Sequence, residues 1–157
     1  MIKLNMKRIK NKKNMILHVY NRGNRKEEIC LDRKDYIFLY NLFSYHFQQN
    51  NFDLLSFCIL PNHYHLLAVQ KGNVDIAVPM QGIAARYTKY FNKKYGYCGH
   101  LFQGPYQCKT IHNIYQLQIA SNYLNSNLPK TKRSYPYLYF NQTITHFYIL
   151  NFHLASL

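Results

Sequence analysis

The chain has 157 residues, 48% of them hydrophobic and 17% aromatic, enough for one domain with its own core. Twenty Lys and Arg against six carboxylates give a formal net charge of +14, with an isoelectric point near 9.7. All six acids (Glu27, Glu28, Asp32, Asp35, Asp53, Asp75) lie in the first half, which argues against chemistries that need two or three converging carboxylates and for a polyanionic partner, nucleic acid first.

In chain order, residues 1–14 form a basic leader with six Lys or Arg in fourteen residues. No apolar stretch follows it as in a secretory signal, and no run is long enough for a transmembrane helix. Cys30, Cys58, Cys98 and Cys108 are widely spaced and form no C-x-x-C pair, the pattern of reduced thiols. A cytoplasmic location without membrane contact is the expectation. "MILHVYNRGN" (15–24) reads as a first strand. Asp32 is an N-cap for a helix to about Gln49, with Ile37, Tyr40, Phe43 and Phe47 at helical spacing. "FDLLSFCIL" (52–60) is an apolar strand, Pro61-Asn62 a tight turn, and "HYHLLAVQ" (63–70) the returning hairpin strand.

Residues 72–96 read as a helix that starts or kinks at Pro79, with Met80, Ile83, Tyr87 and Tyr90 on one stripe. Arg86, Lys89 and Lys93 form a second stripe, without acidic partners, that suits a phosphate backbone as well as solvent. "HLFQGPYQCKTI" (100–111) is extended with a bend at Gly-Pro, and Asn113 can cap a helix from Ile114 to about Asn125 that Pro129 stops. The order βαββαβα predicts an α+β fold, a ferredoxin-like antiparallel sheet with helices packed on one face. The domain is expected over 15–130, followed by a Tyr-rich tail at 131–157 without a clear pattern.

The chemistry concentrates in "LPNHYHLL" (60–67). Side chains two apart on a strand share a face, so His63 and His65 project together and Tyr64 and Leu66 point the other way. Such a pair can hold a divalent metal or be two polar residues on a wet face. Burying two imidazoles without partners is costly, which strengthens the metal reading and leaves both open. Tyr123 and Asn127, spaced i and i+4, share a helix face. A phenolate there can attack phosphorus, and an amide oxygen can complete a metal site.

The segments "HVYNRGNR" (18–25), "LPNHYHLL" (60–67), "MQGIAARYTKYFNKKYG" (80–96), "GHLFQGPYQ" (99–107) and "YLNSNLP" (123–129) together resemble the HUH single-tyrosine transposases of the IS200-like family, and most closely the REP-associated tyrosine transposases. That resemblance implies the ferredoxin-like fold. It also implies metal-dependent cleavage and rejoining of single-stranded DNA at hairpin-bearing ends, through a 5′-phosphotyrosine at Tyr123. His63, His65 and Asn127 are then the ligands of a divalent ion, Mg²⁺ or Mn²⁺. Arg22, Arg86, Lys89, Lys93 and Lys109 are the candidates for DNA contact. Pro105 stands where the family often has a basic residue, and Asn125 where a histidine is usual. The alternative reading is a hairpin-DNA-binding protein without catalysis. Both a monomer and a homodimer fit the resemblance.

Overall fold

In a computed structural model of the chain, residues 14–126 and 138–141 are described. The elements are β1 (Met15–Arg22), α1 (Arg33–Gln49), β2 (Phe52–Ile59), β3 (His63–Gln70), α2 (Ala77–Tyr95), β4 (Gln107–Ile111), α3 (Ile114–Ser126) and β5 (Leu138–Asn141). The strands form one sheet in the order β4-β1-β3-β2-β5, and every pairing is antiparallel. The first four strands have the ferredoxin-like arrangement expected from the sequence, and β5 extends it at the β2 edge. The basic leader and most of the 131–157 tail lie outside the described residues. Among the described residues no helix is long and apolar enough to cross a membrane.

Local chemistry sets the helix ends. Asp32 accepts from the backbone N–H groups of Lys34 and Asp35, and Asp35 returns the favour to the Asp32 N–H, a complete capping box. Asp75 accepts from Ala77 N–H to open α2. Pro79 falls in the first turn of α2, where its missing donor costs nothing, so the helix runs through it. Gly96 ends α2 at φ 70°, the left-handed C-terminal position that glycine takes without strain. Asn113 accepts from Gln116 N–H at 2.9 Å and opens α3, as its position suggested.

Alternation along the strands divides the sheet into two faces. Leu17, Val19, Phe57, Ile59, Tyr64, Leu66 and Ala68 pack under α1 and α2 with Phe43, Phe47, Met80, Ile83, Tyr87 and Phe91. Each such buried side chain contributes about 1.5–3 kcal/mol. Ile16, Leu55, Cys58, Leu67 and Val69 point to the opposite face and meet Leu117, Ala120 and Leu124 of α3. A bulge between Leu54 and Ser56 lets β2 change parity, so Phe52 and Phe57 reach the same core. The expectation of helices on one face thus holds for the α1–α2 pair, while α3 covers part of the other. The reason is β3, which is apolar on both faces and needs cover on both.

The buried stripe of α1 also differs in phase from the expected one. Ile37 is 41% exposed, and Tyr36 and Leu39 take the core positions with Phe43 and Phe47. The helix is apolar on nearly every side through Tyr36–Tyr40 and Leu42–Phe43, so packing against the sheet chooses the face.

Candidate active site

The open part of the α3 face holds the candidate site. His63 pairs with Arg22 across the β1–β3 ladder and His65 with Tyr20, so both imidazoles project beside β1, as alternation predicts. Tyr64 faces the other way into the α1–α2 core, edge-on to Phe43. The two imidazole rings lie 5.2 Å apart at 88°. Tyr123, from the last turns of α3, meets His65 edge-to-face at 5.1 Å. Leu117, Ala120 and Leu124 anchor α3 on the sheet and leave Tyr123 48% exposed. His63, His65 and Tyr123 together line a cavity of about 720 Å³ with Tyr20, Arg22 and Lys26. Asn127 lies outside the described residues.

A third histidine belongs to this cluster. His18 Nε2 lies 3.1 Å from His65 Nδ1, and the rings of His18 and Tyr20 pack on His65 at 5.3 and 5.5 Å. Sequence reasoning missed His18. The signal was present in the H-x-Y alternation of "HVY", and only the β1–β3 register brings it to His65. Asn62 Oδ1 accepts from His63 Nδ1 at 2.6 Å. When His65 Nδ1–H likewise donates to His18, each of the paired rings keeps Nε2 as its basic nitrogen. That arrangement is the one metal-ligating histidines use.

Burial sets the charge state. It drives the His65 pKa down to about 3, with help from His18 and His63. It takes His18 down to about 4, with Lys109 adding to the effect. His63 is lowered by burial and by the neighbouring Arg22 guanidinium. Neutral imidazoles with a free lone pair suit a divalent ion of the kind imidazole binds. Among the described residues no group of three or more His, Cys, Asp or Glu is placed to hold a metal. The donors available on that face among the described residues are imidazole nitrogens, a ligand type that divalent ions accept.

Loop contacts hold the rim. Gln103 Oε1 accepts from Arg22 Nε at 3.0 Å and from a terminal guanidinium nitrogen at 2.7 Å. Gln103 N–H donates to Arg22 C=O, Asn24 N–H to Leu101 C=O, and Asn21 Nδ2 to Gly104 C=O. "NRG" and "LFQG", about eighty residues apart, are thus one structural unit. Next to it, Asn24–Glu27 form a tight turn closed by Glu27 N–H to Asn24 C=O. Its central residues Arg25 and Lys26 both have positive φ, 53° and 65°, at about 1 kcal/mol or more each for residues with a Cβ.

Of the other basic candidates, Lys109 lies on the site face, opposite His18 in the β1–β4 ladder, with its Nζ 6.0 Å from the Tyr20 ring. Arg86, Lys89 and Lys93 are exposed on α2, which packs on the opposite face of the sheet, so they are not gathered around the cavity.

A family model described as "Transposase IS200 like" matches residues 11–127. No curated protein matches the sequence. Among solved structures, the chain is similar to a REP-associated tyrosine transposase bound to a REP hairpin, with a TM-score of 0.58 and 17% identity over 81% of this chain and 72% of that one. It is also similar to a protein assigned as a transposase from Deinococcus radiodurans R1, with a TM-score of 0.54 and 15% identity over 73% of this chain and 92% of that one.

Proposed function

The chain belongs to the IS200-like transposase family, and we propose on that premise that it cleaves and rejoins single-stranded DNA through a covalent phosphotyrosine. The observation that carries this reading is the convergence of His63, His65 and Tyr123 on one cavity. In the proposed reaction the deprotonated Tyr123 oxygen attacks the scissile phosphorus in line. A phosphorus–phenol oxygen bond forms as the bond to the 3′-oxygen breaks. The products are a 5′-phosphotyrosine and a 3′-oxyanion, which takes a proton from water to become a free 3′-OH. Attack by a second 3′-OH reverses the step and joins strands, because the phosphotyrosine conserves the diester bond.

His63 and His65, with Asn127 as oxygen donor, would hold Mg²⁺ or Mn²⁺, and the bound ion supplies positive charge that stabilises the developing charge on the phosphate. Asn62 and His18 orient the two rings through their Nδ1 atoms. Arg22, braced by Gln103, and Lys26 stand at the same cavity to hold the backbone. Lys109 extends this basic surface, and Arg86, Lys89 and Lys93 would attract more distant DNA. Exposed tyrosines near the site suit stacking with unpaired bases. The hairpin bound by the solved REP-associated neighbour supports a hairpin-bearing substrate.

The test is to mix the protein with labelled hairpin oligonucleotides and Mg²⁺ or Mn²⁺ and look for an SDS-resistant complex. The wild type should form one. Tyr123→Phe should form none, and His63→Ala and His65→Ala should fall to background. Hairpin binding by the wild type with no adduct on any substrate would identify a binding protein without catalysis.

A further inference from the structure

Displacement at phosphorus has a departing side as well as an attacking one. As the bond to the leaving nucleoside breaks, negative charge builds on the 3′-oxygen, and a donor aimed at that atom lowers the barrier. In-line geometry puts this oxygen across the phosphorus from the attacking phenol.

A second phenol stands in the same cavity. Tyr20 lines it together with His63, His65 and Tyr123, because β1 sets Tyr20 opposite His65 in the ladder. Its ring lies 5.5 Å from the His65 ring at 32°, whereas Tyr123 meets His65 at 5.1 Å and 88°. One imidazole therefore carries both phenols, in different orientations.

Most other polar groups of the cavity are committed. Asn21 donates to Gly104 C=O and Arg22 to Gln103. Asn62 donates to Lys26 C=O and accepts from His63. Lys26 and Gln107 also line the cavity, but both are exposed, so water competes for them. The Tyr20 hydroxyl makes no hydrogen bond among the described residues. Its half-buried ring is held by His18 at 5.2 Å, by His65, and by Lys109 Nζ at 6.0 Å. A fixed ring with an idle hydroxyl is a donor ordered before substrate arrives. Lys109 adds positive charge on the same side.

We propose that Tyr20 is a second catalytic residue, whose O–H donates a hydrogen bond to the 3′-oxygen while Tyr123 attacks from across the phosphorus. The phosphorus–3′-oxygen bond breaks with its electron pair passing to that oxygen. Tyr20 keeps its own proton, and water protonates the oxyanion. In rejoining, water takes the proton of the incoming 3′-OH, Tyr20 holds its oxygen in line, and Tyr123 departs as phenolate. The assignment rests on the transposase reading of the cavity.

The test compares adduct formation by wild type, Tyr20→Phe and Arg22→Ala on two hairpin oligonucleotides, with oxygen or sulfur bridging the scissile phosphorus to the 3′-carbon. Sulfur needs little help to leave, since a thiol has a pKa of about 8.5 against about 15.7 for water. Tyr20→Phe keeps the ring and loses only the hydroxyl. It should cut the adduct rate roughly hundredfold on the oxygen substrate and leave it close to wild type on the sulfur one. Its Mn²⁺ affinity, read by electron paramagnetic resonance, should match the wild type. Arg22→Ala, which acts on the phosphate, should slow both substrates alike. Equal defects of Tyr20→Phe on both substrates, no defect on either, or weakened Mn²⁺ binding would overturn the role of Tyr20 alone. A wild type that forms no adduct on either substrate would remove the catalytic reading itself.

Discussion

Two polar clusters are buried on opposite faces of the same sheet, and they are satisfied in opposite ways. Under the α1–α2 pair, Asp35 is fully buried and receives five donors: Leu31 and Asp32 N–H, the hydroxyls of Tyr90 and Tyr95, and Lys94 Nζ at 2.7 Å. Burial alone would raise its pKa, but Lys94, Tyr95 and the backbone donors outweigh it and hold the carboxyl below its usual range. Across the sheet, His18 and His65 meet no carboxylate among the described residues and are kept neutral by burial. The first cluster consumes its own hydrogen-bonding capacity and serves the fold. The second keeps basic nitrogens in reserve beside a cavity, which is what a ligand site requires.

The comparison can be broken from either side. Asp35→Ala should have the largest effect on stability. It leaves Lys94 with Asp32 as its one carboxylate partner and removes the acceptor of two tyrosine hydroxyls and two backbone N–H groups, at a cost of about 3 kcal/mol. Urea denaturation would read the loss. The adduct yield per folded molecule should stay unchanged, and a selective loss of adduct would mean that the two clusters are coupled.

Acid should separate the clusters in order. Between the unfolded value of 6.5 and the folded values near 4 and 3, the unfolded chain binds protons at His18 and His65 that the folded chain refuses. Stability therefore declines as pH falls through 6.5. The stabilisation from Asp35 persists until pH drops below the ordinary carboxylate value of 3.8 and is lost below it. Denaturation midpoints over this range should show the histidine limb first. The pair His18→Phe and His65→Leu should flatten that limb only; a profile identical to wild type would contradict the assignment.

A smaller effect probes how tightly the helix pair is packed. A Cβ at Gly82 would stand 2.5 Å from His46 Cε1 and 2.8 Å from His46 Nδ1. Gly82→Ala should lower stability by about 1–3 kcal/mol through this overlap. Adding His46→Ala should recover part of the loss, and thermal melts showing simple additivity would place the strain elsewhere.

Much of this was legible in the sequence where the signal is local. Asp32 announces α1 because a capping residue acts within one turn. His63–Gln70 emerges as a strand because alternation and the Pro-Asn turn agree. The paired imidazoles follow from the same alternation. What stayed hidden depends on distant partners. His18 joins His65 only through strand register. Lys94 reaches Asp35 from fifty-nine residues away, and nothing in either segment names the other. The side of the sheet chosen by α3 depends on which apolar face the first two helices leave uncovered.

The most direct measurement is to digest the covalent protein–DNA complex and locate the nucleotide by mass spectrometry. Sixteen tyrosines compete for it. The account predicts a 5′-phosphate ester on the peptide that contains Tyr123 and on no other. A nucleotide on a different residue, or the same adduct from Tyr123→Phe, would contradict it.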